Sequence, residues 1–395
     1  MSLKISRPSG VLMAIVLSQF LCTSLWFAGN AIIDDLIAGL GFPAYSVSHL
    51  TSAIQFGFIV GTLAYALLNI ADRYSPSRVF LFSALFASMS NIILAQKGVS
   101  FEMALGSRFL VGFFLAGIYP VGMKIAADHF DRSLGKSLGL LVGALVLGTA
   151  LPHLIRSHLG DWHYSYVIFM VTGFAVIGGL VIGLMVPDGP YRKPSQKLQL
   201  RKTFTAFKNP AFRGAAFGYF GHMWELYTFY AFLPAILIYW SDFNESTMDI
   251  SFWSFIFIGL GGVGCAFWGM LSQSVHPKIL ATIALGISGL ICLLTPFIFG
   301  ISMSMLFLVM IGIWGTTVAA DSPMFSTLVA QNAIPELKGT ALTIVNCLGF
   351  ALTIVSIQLV GWLQNFVAFK YLFLVLGIGP LFGLINLWRT EKIKS

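Results

Sequence analysis

Charge is scarce in this chain of 395 residues. Asp, Glu, Lys and Arg make up only 10% of it, 57% is hydrophobic and the mean hydropathy is +0.86. Soluble domains carry about 25% charged residues, so this balance excludes an ordinary soluble domain. Cysteine is sparse as well. Cys22, Cys265, Cys292 and Cys347 all sit in apolar runs with no Cys-x-x-Cys pair, and they read as small core hydrophobes rather than disulfides or metal ligands. A Gly-x-x-x-x-Gly-Lys-Ser/Thr phosphate loop is missing, with no soluble stretch to hold one, which excludes direct drive by ATP. His-x-x-x-His metal spacing and Gly-x-Ser-x-Gly elbows are missing too, so neither a metal, a cofactor nor an enzyme's nucleophile and base is expected. Net charge is +8, but Lys and Arg in the loops of a membrane protein are an orientation signal, and no nucleic-acid partner follows from it.

Long apolar runs are what the chain has in abundance. Spanning the ~30 Å hydrocarbon core takes about 20 apolar residues, and only hydrogen-bonded helices or closed barrels survive there. The runs are long and rich in Gly and Phe, without the short alternation of barrel strands. Helices are expected near 11–33, 48–70, 78–96, 101–126, 137–156, 164–186, 213–239, 252–272, 279–299, 303–326, 339–361 and 367–388. This is an all-α polytopic membrane protein of twelve spans. They form two six-helix bundles, 1–190 and 213–395, on either side of a basic linker, 191–212. The connector carries Arg192, Lys193, Lys197, Arg201, Lys202, Lys208 and Arg213 against Asp188 alone, as a solvated segment beside anionic headgroups would. With the amino terminus inside, every Lys and Arg falls on the cytoplasmic side except Lys97, Arg156, Lys370 and Arg108, the last within a span. Both termini are therefore expected in the cytoplasm of a cell whose inner membrane holds the chain. Val11 to Ile33 is too long for the apolar core of a signal peptide, and none is expected to be cleaved.

The halves echo each other. Asp72-Arg73-Tyr74-Ser75-Pro76-Ser77-Arg78 corresponds to Gln273-Ser274-Val275-His276-Pro277-Lys278 at an offset of 201 residues, Lys136 to Lys338 at 202, and Pro120 to Pro323 at 203. Three matches at nearly one offset indicate duplicated halves of the same topology.

This layout resembles the major facilitator superfamily over the whole chain. Its loop signature Gly-x-x-x-Asp-Arg/Lys-x-Gly-Arg-Arg is similar to Leu68-x-x-x-Asp72-Arg73-Tyr74-Ser75-Pro76-Ser77-Arg78, with Leu68 in place of the glycine and Ser75-Pro76 in place of part of the Gly-Arg core. The second copy, Gly269-x-x-x-Gln273, keeps the glycine and loses the acid. Arg108-Phe109-Leu110-Val111-Gly112 with Gly117 resembles the fourth-helix signature, and Gly139-x-x-x-Gly143 with Gly148 and Pro152 the fifth, without its usual Gly-Pro pair. The resemblance implies a monomeric secondary transporter working by alternating access, with Asp72, Arg73 and Arg78 gating its conformations through charge contacts.

Ionisable groups in hydrocarbon cost several kcal/mol and normally face a cavity or a partner. The seventh stretch reads Gly221-His222-Met223-Trp224-Glu225-Leu226-Tyr227, and the spacing puts His222 and Glu225 on one face, within reach of a shared hydrogen bond. A proton-coupling pair and a structural pair closing a gap both fit. Arg108 matches a position that contacts substrate or takes part in proton coupling in the family. An Arg pinned to backbone carbonyls, or reaching the outer interface, is the structural alternative. Asp321, beside Pro323, is a third coupling candidate, or a hydrated end of its helix. Trp26, Asn30, Trp224, Tyr227, Tyr230, Trp314 and Asn346 are candidate walls of a substrate site, although aromatics at 14% of the chain also serve as packing. Helices 2 and 8 lack the paired arginines that the family uses for nitrate-type anions. Two functions remain: proton-coupled uptake of a small polar or anionic organic solute, suggested by Arg108 and His222, and proton-driven export of an amphipathic metabolite or drug, suggested by the aromatic walls and the carboxylate. Besides that solute, protons and membrane lipids are the partners expected.

Overall fold

Helix start signals recur along the chain. Asn209 caps Pro210 onward by accepting from Ala211 N at 2.9 Å, Ser100 accepts from Met103 N at 3.2 Å, and His276 accepts from Lys278 N at 3.2 Å ahead of Pro277. In the computed structural model, which describes residues 8–130, 134–160, 162–192 and 203–389, helices account for the architecture and the described residues contain no strand. In chain order they are α1 (Pro8–Thr23), α2 (Ile33–Leu40), α3 (Ser46–Leu67), α4 (Ile70–Arg73), α5 (Pro76–Asn91), α6 (Phe101–Leu115), α7 (Tyr119–His129), α8 (Leu134–Leu159) and α9 (Ser165–Met185). There follow α10 (Pro210–Phe243), α11 (Ile250–Leu271), α12 (Pro277–Ile298), α13 (Ser304–Ala320), α14 (Ser322–Asn332), α15 (Lys338–Leu363), α16 (Phe369–Leu372) and α17 (Ile378–Trp388). Of the connector's basic residues, Lys193, Lys197, Arg201 and Lys202 lie outside the described residues.

Ten segments of the described chain are long and apolar enough to cross a membrane. Two of the twelve expected stretches fall outside that set, each for a visible reason. The first is interrupted after Thr23 and only Ser9–Thr23 remains as a shorter apolar helix. The seventh, α10, runs for 34 residues, but its middle is built of Tyr, Trp, His and Glu rather than aliphatic residues.

Several expected single helices are broken. The run expected over 11–33 leaves the helix at Ser24, passes through a turn and a 3-10 segment, Asn30–Ile32, and resumes as α2. The run over 101–126 is split between α6 and α7, and the run over 303–326 between α13 and α14. Proline explains the last two. Pro120 and Pro323 each sit at the start of the second segment, where a missing N–H is tolerated, and each deprives the carbonyl four residues earlier of its donor. For Pro323 that carbonyl is Ala319 O, which accepts instead from Cys265 Sγ at 3.0 Å.

The chain divides into two compact units, Met1–Ser195 with Asp249–Gly259, and Gln196–Met248 with Leu260–Ser395. The start of α11 groups with the first unit, where Ser157 on α8 donates to Asp249. In that unit α3 packs tightly along α6. A Cβ on Gly112 would collide with the backbone of Ile54, and one on Gly57 with that of Phe109, so small residues let the two backbones touch. In the second unit α10 is the axis, flanked by α17, α15 and α14, and most of its length is buried.

Candidate functional site

A fully enclosed carboxylate lies on this axis. Glu225 is 0% exposed, and three side chains from two other helices converge on it. Trp314 Nε1 of α13 donates to Oε1 at 2.6 Å, Cys292 Sγ of α12 to the same oxygen at 3.2 Å, and Ser288 Oγ of α12 to Oε2 at 2.9 Å. Ser288 and Cys292 are four residues apart and so share one face of α12. Pro296 on that helix removes the usual donor to Cys292 O, and Thr295 Oγ1 replaces it at 2.8 Å. Hydrogen bonds to a charged group are worth about 1.5–3 kcal/mol each, so this donor set offsets a large part of the cost of holding a carboxylate away from water. Trp314 is itself wedged against Phe229, ring centroids 4.5 Å apart. Trp314→Phe keeps that packing and removes the shortest donor. It is expected to lower stability by about 1–3 kcal/mol, read as a fall in the thermal midpoint of the purified protein. An unchanged midpoint would mean that the indole N–H is dispensable.

His222 does not share its hydrogen bond with Glu225. Its Nδ1 lies 2.7 Å from Asp321 Oδ1, both side chains being 0% exposed. The two atoms are within reach of an ion pair or a hydrogen bond, and neither His222 Nε2 nor Asp321 Oδ2 has a hydrogen-bond partner among the described residues. Asp321 occupies the single-residue break between α13 and α14, so the discontinuity sets its carboxylate against α10. The second unit thus holds two separate acidic positions, one saturated with donors and one paired with a histidine.

Arg108, on α6 of the first unit, is 1% exposed and fully engaged with its own protein. Nη2 donates to Leu25 O at 2.6 Å and Trp26 O at 2.7 Å, and Nη1 to Asn91 Oδ1 at 2.9 Å. Asn91 is in turn fixed through Nδ2 to Thr172 Oγ1 at 3.1 Å. The two carbonyls belong to the unwound part of the first span, so the guanidinium supplies the donors that the broken helix lacks. Two backbone carbonyls and one side-chain amide are thus the partners of the guanidinium among the described residues.

The remaining candidates separate. Trp26 is buried against Phe58, ring centroids 4.9 Å apart, and Asn30 Nδ2 donates to Thr51 Oγ1 at 2.8 Å, both in the first unit. Tyr227 and Tyr230 are buried on α10, Tyr227 packing against Phe350 at 5.2 Å. Asn346 Oδ1 accepts from Tyr219 Oη at 2.6 Å. Trp224 turns to another face of α10, donating Nε1 to Val375 O at 3.1 Å. On α4, Asp72 pairs with Lys124 at 2.9 Å, while Arg73 beside it and Arg78 at the start of α5 are exposed and make no ion pair among the described residues. Sequence reasoning missed Lys124 as that partner, along with Arg192, which donates to Asp72 O at 2.9 Å and Tyr74 O at 2.8 Å and pairs with Asp188 at 2.9 Å. Ser288 and Cys292 were also missed, although a Ser-x-x-x-Cys pair on one face of an apolar span is a legible signal. No group of three or more His, Cys, Asp and Glu among the described residues is placed to hold a metal ion.

A helical bundle with membrane-long spans, interrupted helices and sequestered ionisable side chains defines a polytopic membrane protein of the transport class. The family model of the Major Facilitator Superfamily matches residues 15–357, and the chain belongs to that superfamily of membrane transporters. None of the curated proteins matches the chain.

Proposed function

We propose that the chain is a proton-coupled secondary active transporter that takes up a small polar or anionic organic solute by alternating access. The observation that carries this reading is Glu225, a fully enclosed carboxylate on the axial helix, held by three neutral donors and no cation. A charge so placed is costly in a closed cavity, and a proton on Glu225 lowers the barrier to reorientation. The His222–Asp321 pair is a second place where a proton changes the charge of the unit. Arg108, balanced only by carbonyls and an amide, leaves an uncompensated positive charge in the first unit, which supports an anionic solute. The surplus of acid in the second unit favours the alternative, export of an amphipathic cation or drug in exchange for protons. In either case the Lys and Arg distribution supports both termini in the cytoplasm, and membership of the superfamily supports a monomer in the inner membrane.

A thermal-shift screen of organic acids, sugars and amphipathic cations on detergent-purified protein supplies the solute, which is then presented to proteoliposomes carrying a pH dye. Uptake with protons alkalinises the outside, and exchange acidifies it. Glu225→Gln is expected to abolish solute-driven proton movement between pH 5 and 8 while exchange of solute across the membrane persists. Full proton-driven flux in that variant would refute the assignment.

A further inference from the structure

A groove opens on a different face of α10 from the ionisable residues. At ~100° per residue, Trp224 lies about a quarter turn from Glu225 and nearly opposite His222, while Gly221, ~40° from Glu225, marks the near edge of the groove. The cavity, about 500 Å³, runs between α10, α15 and α17 and is floored by Phe220, Gly221 and Trp224, with Ala351 and Val355 on one wall and Gly379 on the other. Its depth comes from a glycine crossing. A Cβ on Gly221 would collide with Gly379 O, and one on Gly379 would crowd Gly221 O at 2.6 Å, so the backbones touch and no side chains fill the notch beside them.

The mouth opens outward. Leu348, Val355, Ile378 and Phe382 on its rim are 39%, 53%, 58% and 45% exposed, on segments long and apolar enough to span a membrane. Hydrocarbon, not water, surrounds a groove at such a position. Left vacant it would forfeit dispersion contacts along its whole lining. Its lining also offers no side-chain donor or acceptor to a polar ligand, because the one polar atom, Trp224 Nε1, is spent on Val375 O. The volume lies within the ~300–1,000 Å³ of small-ligand sites.

We propose that this groove is a binding site for one acyl chain of a membrane phospholipid. The chain packs α10 against α15 and α17, and it braces the 3-10 turn Phe373–Gly377 that Trp224 holds through Val375.

Trp224 reports on the occupant directly. The protein is placed in nanodiscs of phospholipids brominated at mid-chain, and the emission of Trp224 is taken as the difference between wild type and Trp224→Phe. At least half of that emission is expected to be quenched relative to unbrominated lipid. Ala351→Phe, which fills the groove from α15, is expected to restore most of it and to leave one phospholipid fewer per chain in the native mass spectrum. Val355→Phe, one turn along the same face, gives the same test if the first variant folds poorly. Emission indifferent to bromine, or lipid counts and quenching unchanged in a folded filled variant, would overturn the proposal. So would relief of quenching by an amphipathic solute, which would give the groove to a solute instead of a lipid.

Discussion

Arg108→Ala is expected to destabilise the first unit by several kcal/mol and to loosen the chain between Ser24 and Asn30. The substitution leaves Leu25 O, Trp26 O and Asn91 Oδ1 without the donors that now satisfy them. Each buried acceptor left unmade costs about 1–3 kcal/mol, and within a membrane span no water replaces the missing donor. Removal of the side chain also opens a void beneath Gly29, whose Cα approaches the Arg108 stem closely enough that an added Cβ would meet it at 3.5 Å. Arg108→Lys should retain part of the stability, because an ammonium keeps the charge but loses the planar fork that reaches both carbonyls and the amide. Thermal unfolding of purified protein, combined with hydrogen exchange over residues 24–30, distinguishes these expectations. Lysine that performs as well as arginine in both measurements would show that charge alone is needed, and alanine that performs as well would remove Arg108 from the architecture.

Why this role was only half legible in the sequence follows from what sets it. The membrane-spanning character of the chain was readable because it depends on the length of apolar runs, which the bilayer thickness dictates. The broken helices were not, since the carbonyls freed in one of them are satisfied by a partner 83 residues away. Pro120 and Pro323 were visible as a repeat match, yet that they begin second helical segments depends on how the freed carbonyls are satisfied, as Cys265 does for Ala319. Glu225 and His222 stood out because charge in hydrocarbon is rare. Their partners did not: i, i+3 spacing brings them to one face, but α12 and α13 offer three donors to Glu225, and the break at Asp321 offers a carboxylate to His222. For the same reason Cys292 read as a small apolar residue, since only packing puts its thiol on a carboxylate. Loop charge was legible in its sign but not in its pairing. Asp72 has Arg73 beside it in sequence, but helix geometry carries that side chain outward and brings Lys124 across from α7.

His222→Ala is expected to be among the most damaging single substitutions in the second unit, and more damaging than Asp321→Asn. With the imidazole gone, Asp321 is a carboxylate with 0% side-chain exposure and no other ion pair among the described residues. Breaking a buried pair from one side costs about 3–5 kcal/mol because it strands a charge. Asp321→Asn strands less, since an imidazole ring, unlike a carboxylate, is at home in a buried site as an uncharged group. The double variant, His222→Ala with Asp321→Asn, removes both charges and should lie well below the sum of the singles. A double-mutant cycle on thermal or denaturant unfolding in micelles therefore gives a coupling of more than about 1 kcal/mol, against the ~0.5 kcal/mol within which independent sites add. The same asymmetry bears on transport: if the pair stores a proton, the double variant should fold like wild type yet lose pH dependence, whereas a purely structural pair leaves that dependence intact. Strict additivity, with both singles mild, would mean that the 2.7 Å approach of the two side chains carries no energy and that the break at Asp321 is held by its proline alone.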